Sequence, residues 1–368
     1  MTLLCVEFGT RLYLSVFRDL TFKNHLEFRM SVPKPYRNSQ YDVKKFTSST
    51  FGQMDWETPE DTSLVIPRDF KTEYINIKDG KRSTTLQPLY YKNVIYLFGG
   101  STMFCSEVPD EYTIASYFQD LANKEFPNRY IVENYGASSV ISAQELERLK
   151  TINLREGDMV VFFNGANDVI QSIYNNDPEG YIVGKNNKIV RETGSVRAFF
   201  LKIHPVLGKY STFVSYFLDP FERKYKPSHM NDSSHVESLT NSMEKNYARN
   251  IIEADNYTRD KGAIFFHFLQ PTIFSGNNAT TYENNLRSNP YLIGVGIEDA
   301  MEIGYPKLTG MVSDFRSIHN IYSYDITKLF DGRASNHELF LDWVHVSEEG
   351  NRMIAEKLFK EMIKTGEL

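Results

Sequence analysis

Four short runs of apolar residues, each followed within three positions by glycine or proline, organise the chain from residue 93 onward. They are Asn93–Phe98, Tyr130–Asn134, Asp158–Phe163 and Gly262–Phe268, and Asn320–Tyr324 is a weaker fifth. Nearly continuous apolar runs of this length are typical of strands that are buried on both faces. The pattern therefore predicts five buried strands.

Residues at helical spacing occupy the stretches between these runs. They predict helices at about 114–121 and 146–152, a long one within 239–261, and a last one after Ser347. Alternating strands and helices predict an α/β fold, a three-layer α/β/α sandwich with a mostly parallel five-stranded sheet. Ligands of such sheets bind at the carboxyl ends of the strands, where the unusual short motifs of this chain also lie.

Two segments fall outside this alternation. Residues 1–90 are predicted to be an N-terminal extension, partly an extended arm over 32–61, that packs on a main domain of residues 91–368. A stretch without strand signal at about 171–238 is predicted to be an insertion, either a lid near the site or core-packing helices. The first twenty residues indicate either the end of a membrane anchor or an amphipathic helix.

Composition narrows the functional classes. The 368 residues carry 41 Lys and Arg against 47 Asp and Glu, a net charge of −6, which argues against a nucleic-acid-binding protein with a basic face. Two cysteines, Cys5 and Cys105, cannot form a disulfide framework or a cysteine-based zinc site. The histidines show no metal-ligand spacing, so no metal or organic cofactor is predicted, and His267, inside an apolar run, is interpreted as a core residue.

Candidate chemistry begins with Gly99-Gly100-Ser101-Thr102, directly after the first strand. A serine on a glycine turn, whose backbone can adopt positive φ, can expose its hydroxyl at the rim of the sheet. A nucleophilic serine needs a base and a residue that orients the base. Asp342 and His345 are three positions apart in Asp-Trp-Val-His, so that the carboxylate can accept the imidazole Nδ1–H.

Groups that could stabilise an oxyanion follow the next two strands. They are the N–H of Gly136 and the side-chain amide of Asn167, together with the N–H of Ser101. Taken singly, each motif is better explained as a turn or a helix cap, and only their combination and order point to catalysis.

In this order the blocks resemble the SGNH (GDSL-type) hydrolase superfamily over about residues 91–365. The resemblance implies a flavodoxin-like α/β/α fold, a Ser101–His345–Asp342 triad, and an oxyanion hole formed by Ser101, Gly136 and Asn167. One departure is Gly100, where the first block usually has Asp. The Gly-Gly-Ser-Thr variant is similar to bacterial members that are associated with surface glycans.

The resemblance implies a serine esterase that removes an O-acyl group, acetyl first among candidates, from a carbohydrate. A lipid or small-ester esterase, an O-acyltransferase, and a catalytically silent glycan-binding protein on the same fold are the alternatives. The implied partner is an acylated carbohydrate or a small ester. A bacterial location outside the cytoplasm or at the membrane is favoured over a cytoplasmic one.

Overall fold

A computed structural model describes residues 25–60, 62–179, 226–277, 279–289, 292–334 and 336–368 of the chain. Within these ranges, no helix combines the length and the apolar character that a membrane span requires. The predictions for the first twenty residues, and for most of the insertion at 171–238, fall on residues outside them.

Ten strands, numbered in chain order over the described residues, are β1 Trp56–Glu57, β2 Ile66–Pro67, β3 Phe70–Lys71, β4 Asn76–Lys78, β5 Lys81–Arg82, β6 Asn93–Gly99, β7 Tyr130–Asn134, β8 Met159–Asn164, β9 Ile264–Leu269 and β10 Tyr322–Asp325. The α-helices of the same residues are α1 His25–Met30, α2 Val43–Thr50, α3 Ser101–Phe104, α4 Ile114–Glu125, α5 Ser142–Lys150, α6 Ala166–Val169, α7 Ser233–Asp260, α8 Thr281–Arg287, α9 Ile297–Ser317 and α10 Glu348–Ile363. A π-helical turn, Ile170–Tyr174, continues α6.

The main sheet has the strand order β10-β9-β8-β6-β7-β5-β4-β3, and its five longer strands, β6 to β10, are parallel. These are the five strands predicted from the apolar runs, with bounds shifted by at most two residues, and the α/β class is confirmed. The sheet has eight strands rather than five because β3, β4 and β5 extend it beside β7 in antiparallel pairs. Strands of two or three largely polar residues carry no apolar run from which they could be predicted.

Helices cover both faces of the sheet. They form two groups, α4 with α10 and α7 with α5 and α9. Because crossovers between parallel strands are right-handed, the β6–α4–β7 and β7–α5–β8 units place these groups on opposite faces. Every residue of β6 and β8 is buried between them, as continuous apolar strands require.

The segment at 32–61 differs from the expected extended arm because it contains α2. Asp42 accepts hydrogen bonds from the N–H groups of Lys44 and Lys45 and so caps the helix. Its buried residues, among them Val43, Phe46 and Thr50, follow helical spacing. The expectation of a non-periodic arm is wrong for these eight residues.

The topology creates a crevice between β6 and β8. From β6 the chain crosses to β7 on one side, whereas from β8 it continues to β9 and β10 on the other. Strand connections that leave in opposite directions open a space at the carboxyl ends of the two strands, where ligands of α/β sheets bind. Ser101 follows β6 and Asn167 follows β8, so both lie at this crevice.

Candidate active site

Ser101 is the first residue of α3, two positions after the end of β6. Its N–H is one of the donors that the first turn of a helix leaves without an intrahelical partner. Gly100 has a φ of −72°, so the positive φ expected at this turn does not occur. The glycines provide space instead: a Cβ at Gly99 would lie 2.5 Å from the carbonyl oxygen of Phe163, and one at Gly100 would lie 2.4 Å from Nδ2 of Asn167.

Asp342 and His345 lie at the tip of a tight hairpin between the paired residues Phe340 and Val346. Oδ1 of Asp342 accepts hydrogen bonds from the N–H groups of Val344, at 3.0 Å, and His345, at 2.8 Å. An aspartate that binds the backbone two and three residues ahead stabilises such a turn. The turn therefore fixes both side chains that the proposed base requires.

The predicted triad residues are in contact. The Ser101 hydroxyl donates to Nε2 of His345 over 2.8 Å, and the Nδ1–H of His345 donates to Oδ2 of Asp342 over 2.7 Å. Asp342 is buried, whereas the side chain of His345 is 17% exposed, so the base reaches solvent at the crevice.

Charges around the triad set its protonation. Burial alone would raise the pKa of Asp342, but His345 and Arg29 outweigh it and hold this pKa well below its ordinary value. Burial alone would lower the pKa of His345, but the charge and the hydrogen bond of Asp342 raise it above 6.5. Asp342 is therefore ionised at neutral pH and favours the protonated imidazole that forms when a serine loses its proton.

Asn167 brings a side-chain amide to the same crevice. Gly165, with a φ of 108° that favours glycine, links β8 to α6. One amide N–H of Asn167 donates to the carbonyl oxygen of Val140 over 2.8 Å. The amide nitrogen lies beside Gly100, since a Cβ built on this glycine would be 2.4 Å from it, and it carries a second N–H.

The N–H of Gly136 has a different partner from the one predicted. Its N–H donates to Oδ1 of Asn134 over 2.9 Å, within its own segment. A Cβ at Gly136 would lie 2.3 Å from the backbone nitrogen of Phe104, so the glycine permits close packing against α3. Gly136 therefore has a packing role, and the Ser101 N–H and the Asn167 amide stay as the candidate oxyanion donors.

Two charged residues beside the triad were not anticipated from the sequence. Arg29, in α1, donates to Oδ2 of Asp342 over 3.0 Å and also to Glu107. Arg29 and Glu107 are both buried. No motif marks them, because Arg29 and Asp342 are 313 positions apart and meet only through tertiary packing.

Two other candidate residues, His267 and Cys105, take no part in these hydrogen bonds. His267 is buried in β9 between Tyr247 and Ser323, with ring nitrogens 2.7 Å from each hydroxyl, as expected for a core histidine. Cys105 is buried as well, and burial raises the pKa of its thiol to about 11, which keeps it in the unreactive protonated form.

Comparison with known proteins gives structural neighbours only. No family model matches the chain, and no curated protein matches its sequence. A lipolytic G-D-S-L family protein from Veillonella parvula aligns with 73% of this chain and 96% of its own, at 13% identity and a TM-score of 0.37. The esterase EstA from a Pseudoalteromonas species aligns with 74% of this chain and 98% of its own, at 11% identity and a TM-score of 0.35. An acetylxylan esterase from Geobacillus stearothermophilus aligns with 74% of this chain and 95% of its own, at 12% identity and a TM-score of 0.38.

Because these sequence identities and TM-scores are low, the assignment of function depends on the geometry of the site itself. The chain carries a serine hydroxyl bonded to an imidazole, a buried carboxylate behind that imidazole, and two N–H donors at the same crevice. This set of groups can perform nucleophilic acyl transfer.

Proposed function

We propose that this protein is a serine esterase that cleaves O-acyl esters through an acyl-enzyme on Ser101. The observation that carries the proposal is the continuous chain of hydrogen bonds from the Ser101 hydroxyl through His345 to Asp342. A serine hydroxyl is a weak nucleophile on its own, and a bonded imidazole oriented by a carboxylate activates it.

The first half of the reaction acylates the serine. His345 Nε2 takes the hydroxyl proton while Oγ of Ser101 bonds to the acyl carbon of the ester. The oxyanion that forms accepts hydrogen bonds from the Ser101 N–H and the Asn167 amide. When the intermediate collapses, the ester C–O bond breaks and the Nε2 proton passes to the leaving alcohol.

The second half releases the acyl group. Water donates a proton to His345 Nε2 as its oxygen attacks the acyl carbon, and the bond to Ser101 Oγ then breaks with return of that proton. Asp342 keeps its negative charge throughout and stabilises the imidazolium in each half.

Carbohydrate-bound acetyl is the proposed substrate, on the resemblance of the Gly-Gly-Ser-Thr block to bacterial hydrolases that are associated with surface glycans. The extracytoplasmic location stays a prediction from the same resemblance.

A fluorophosphonate probe tests the serine chemistry. We expect covalent labelling of the folded wild-type protein and none of Ser101→Ala. The matched control is Ser48→Ala, which removes an exposed hydroxyl of α2 far from the triad in sequence and should leave labelling intact. A folded wild-type protein that resists the probe would favour a glycan-binding protein over an esterase.

A comparison of two kinds of ester identifies the substrate class. Acetate release from acetylated oligosaccharides should exceed hydrolysis of dodecanoyl esters by the same preparation. Faster turnover of the dodecanoyl esters would replace the carbohydrate by a lipid, and an acetylated sugar acceptor seen by mass spectrometry would indicate an acyltransferase.

A further inference from the structure

Arg29 lies between two carboxylates at the back of the triad. Its Nη2 donates to Oδ2 of Asp342 over 3.0 Å, and its Nε donates to Oε2 of Glu107. The side chains are 2% exposed for Arg29 and Asp342 and 8% for Glu107. A guanidinium ion buried this deeply needs anionic partners, and these two supply them.

The two carboxylates in turn need a cation. One ligand atom each of Glu107, Asp342 and His345 lie within 4.8 Å of one another. Two ionised carboxylates this close repel each other, and a positive charge between them offsets the repulsion. Arg29 provides that charge.

The electrostatics agree with this geometry. Burial alone would raise the pKa of Glu107, but Arg29, together with His345, outweighs it and lowers this pKa below its ordinary value. Burial alone would lower the pKa of Arg29, but Glu107 and Asp342 outweigh it and raise it. All three groups are therefore charged at neutral pH.

The contact also orients the triad carboxylate. Oδ1 of Asp342 is held by the backbone of its own turn, whereas Oδ2 is shared by His345 and Arg29. Arg29 thus supplies a hydrogen bond to this carboxylate from outside the turn. Tyr36, in the same N-terminal region, donates to the main-chain carbonyl oxygen of Glu107 over 2.6 Å and so anchors the backbone of this residue.

We propose that Arg29 is a positioning residue of the Ser101 site, which with Glu107 forms a charge-neutral pair that holds Asp342 towards His345. The N-terminal segment thereby completes the active site. Glu107 and Arg29 act on the imidazole in opposite directions, because the carboxylate stabilises its protonated form and the guanidinium destabilises it. The inference extends the proposed esterase, on whose triad it rests.

Four further titratable side chains among the described residues near the triad, His25, Tyr36, Tyr282 and Cys105, are uncharged at neutral pH. Nδ1 of His25 lies 3.8 Å from Oδ2 of Asp342, and burial lowers the pKa of this histidine. Burial raises the pKa of the Tyr36 and Tyr282 phenols and of the Cys105 thiol. Changes in the titration of His345 near neutral pH will therefore report on Arg29 and Glu107.

The test is an NMR titration of the His345 imidazole, which needs no catalytic turnover. The chain has eight histidines, so a histidine-labelled sample is tractable, and His345→Gln and His25→Gln assign the two signals that matter. The variants are Arg29→Met, Glu107→Gln and the double substitution.

Opposite shifts are expected. The midpoint of His345 should rise by about 1 pH unit in Arg29→Met and fall by about 1 pH unit in Glu107→Gln, because each removes a charge of one sign. The double variant should return close to wild type. If Arg29 and Glu107 only stabilised the fold, each single variant would have a lower melting temperature. The titration midpoint of His345 would then not move in opposite directions in the two variants.

Either failure can be recognised separately. Unchanged midpoints in folded Arg29→Met and Glu107→Gln would overturn the role of Arg29, even in a protein that the fluorophosphonate labels. Opposite shifts in a protein that resists labelling would support the charge pair and remove the esterase. If Arg29→Met does not fold, the nearly isosteric Glu107→Gln decides alone, since a midpoint that stays or rises contradicts the inference.

Discussion

The hydroxyl oxygen of Ser101 lies 2.8 Å from Nε2 of His345, although 244 positions separate the two residues. Ser101 reaches this point from the end of β6, and His345 reaches it from the tip of the hairpin before α10. The hairpin is joined to the loop after β9 by the N–H of Ile273, which donates to the carbonyl oxygen of Trp343 over 2.9 Å. The contact therefore depends on the packing of three separate parts of the chain.

The rate should depend on the protonation of His345. The base must be neutral to accept a proton, and Asp342 raises its pKa above 6.5. As the pH is lowered, kcat/KM for a small ester should therefore fall to half its maximum at a pH that is still above 6.5. A pH–rate profile measures this midpoint, with ester consumption followed by a pH-independent readout. A midpoint below 6.5 would mean that desolvation, not Asp342, dominates at the imidazole.

Asn167→Ala should slow acyl transfer by about 10²–10³-fold in kcat, because it removes one oxyanion donor. KM should change much less, since the negative oxygen develops only in the transition state. Steady-state kinetics on one ester separate the two constants. As a control, Asn241→Ala changes an exposed asparagine of α7 and should leave both unchanged. Equal losses in the two variants would contradict the role of Asn167.

Gly100→Ala should reproduce much of the Asn167→Ala defect. Its φ of −72° suits alanine, so the backbone is not strained, but the new Cβ would lie 2.4 Å from Nδ2 of Asn167 and displace the amide. We expect a loss in kcat with little change in melting temperature. If the double variant Gly100→Ala/Asn167→Ala is no slower than Asn167→Ala, the two substitutions act through the same group. Additive losses would mean that Gly100 has a separate role.

Arg82→Ala should destabilise the protein by about 3–5 kcal/mol, as expected when one partner of a buried charge pair is removed. The buried Arg82 donates to Asp110 and to the carbonyl oxygens of Phe104 and Val108, and so joins β5 to the end of α3 and the segment after it. Urea unfolding measures the change. Lys45→Ala, which breaks an exposed pair with Glu73, is the control and should leave the unfolding free energy nearly unchanged.

His267 should make the fold sensitive to acid. Burial lowers its pKa to about 3, whereas the unfolded chain titrates near 6.5. The unfolded state therefore binds a proton that the folded state does not, and stability falls as the pH drops from about 6.5 towards 3. His267→Gln should be less stable at pH 7.5 but should lose less stability between pH 7.5 and 5. The exposed His319→Gln should retain the full pH dependence in the same urea titrations.

Local pattern was sufficient for the parallel sheet and for the types of residue at its rim. The apolar runs of β6 to β10 predicted five strands within two residues, because burial on both faces leaves a local signature. Ser101, Asn167, Asp342 and His345 could be singled out because each follows a strand or precedes a helix in a short motif. The short strands β3 to β5 carry no such signature.

Tertiary structure alone decided which of those groups meet. Gly136 was a reasonable donor by sequence, but its N–H donates to the side chain of Asn134 and its Cα packs closely against α3. Arg29 and Glu107 had no motif, because a buried ion pair between distant segments depends on how helices and loops pack and not on neighbours along the chain. Sequence thus determined the strands and the reactive residue types, and long-range packing decided the contacts and the charges that act on them.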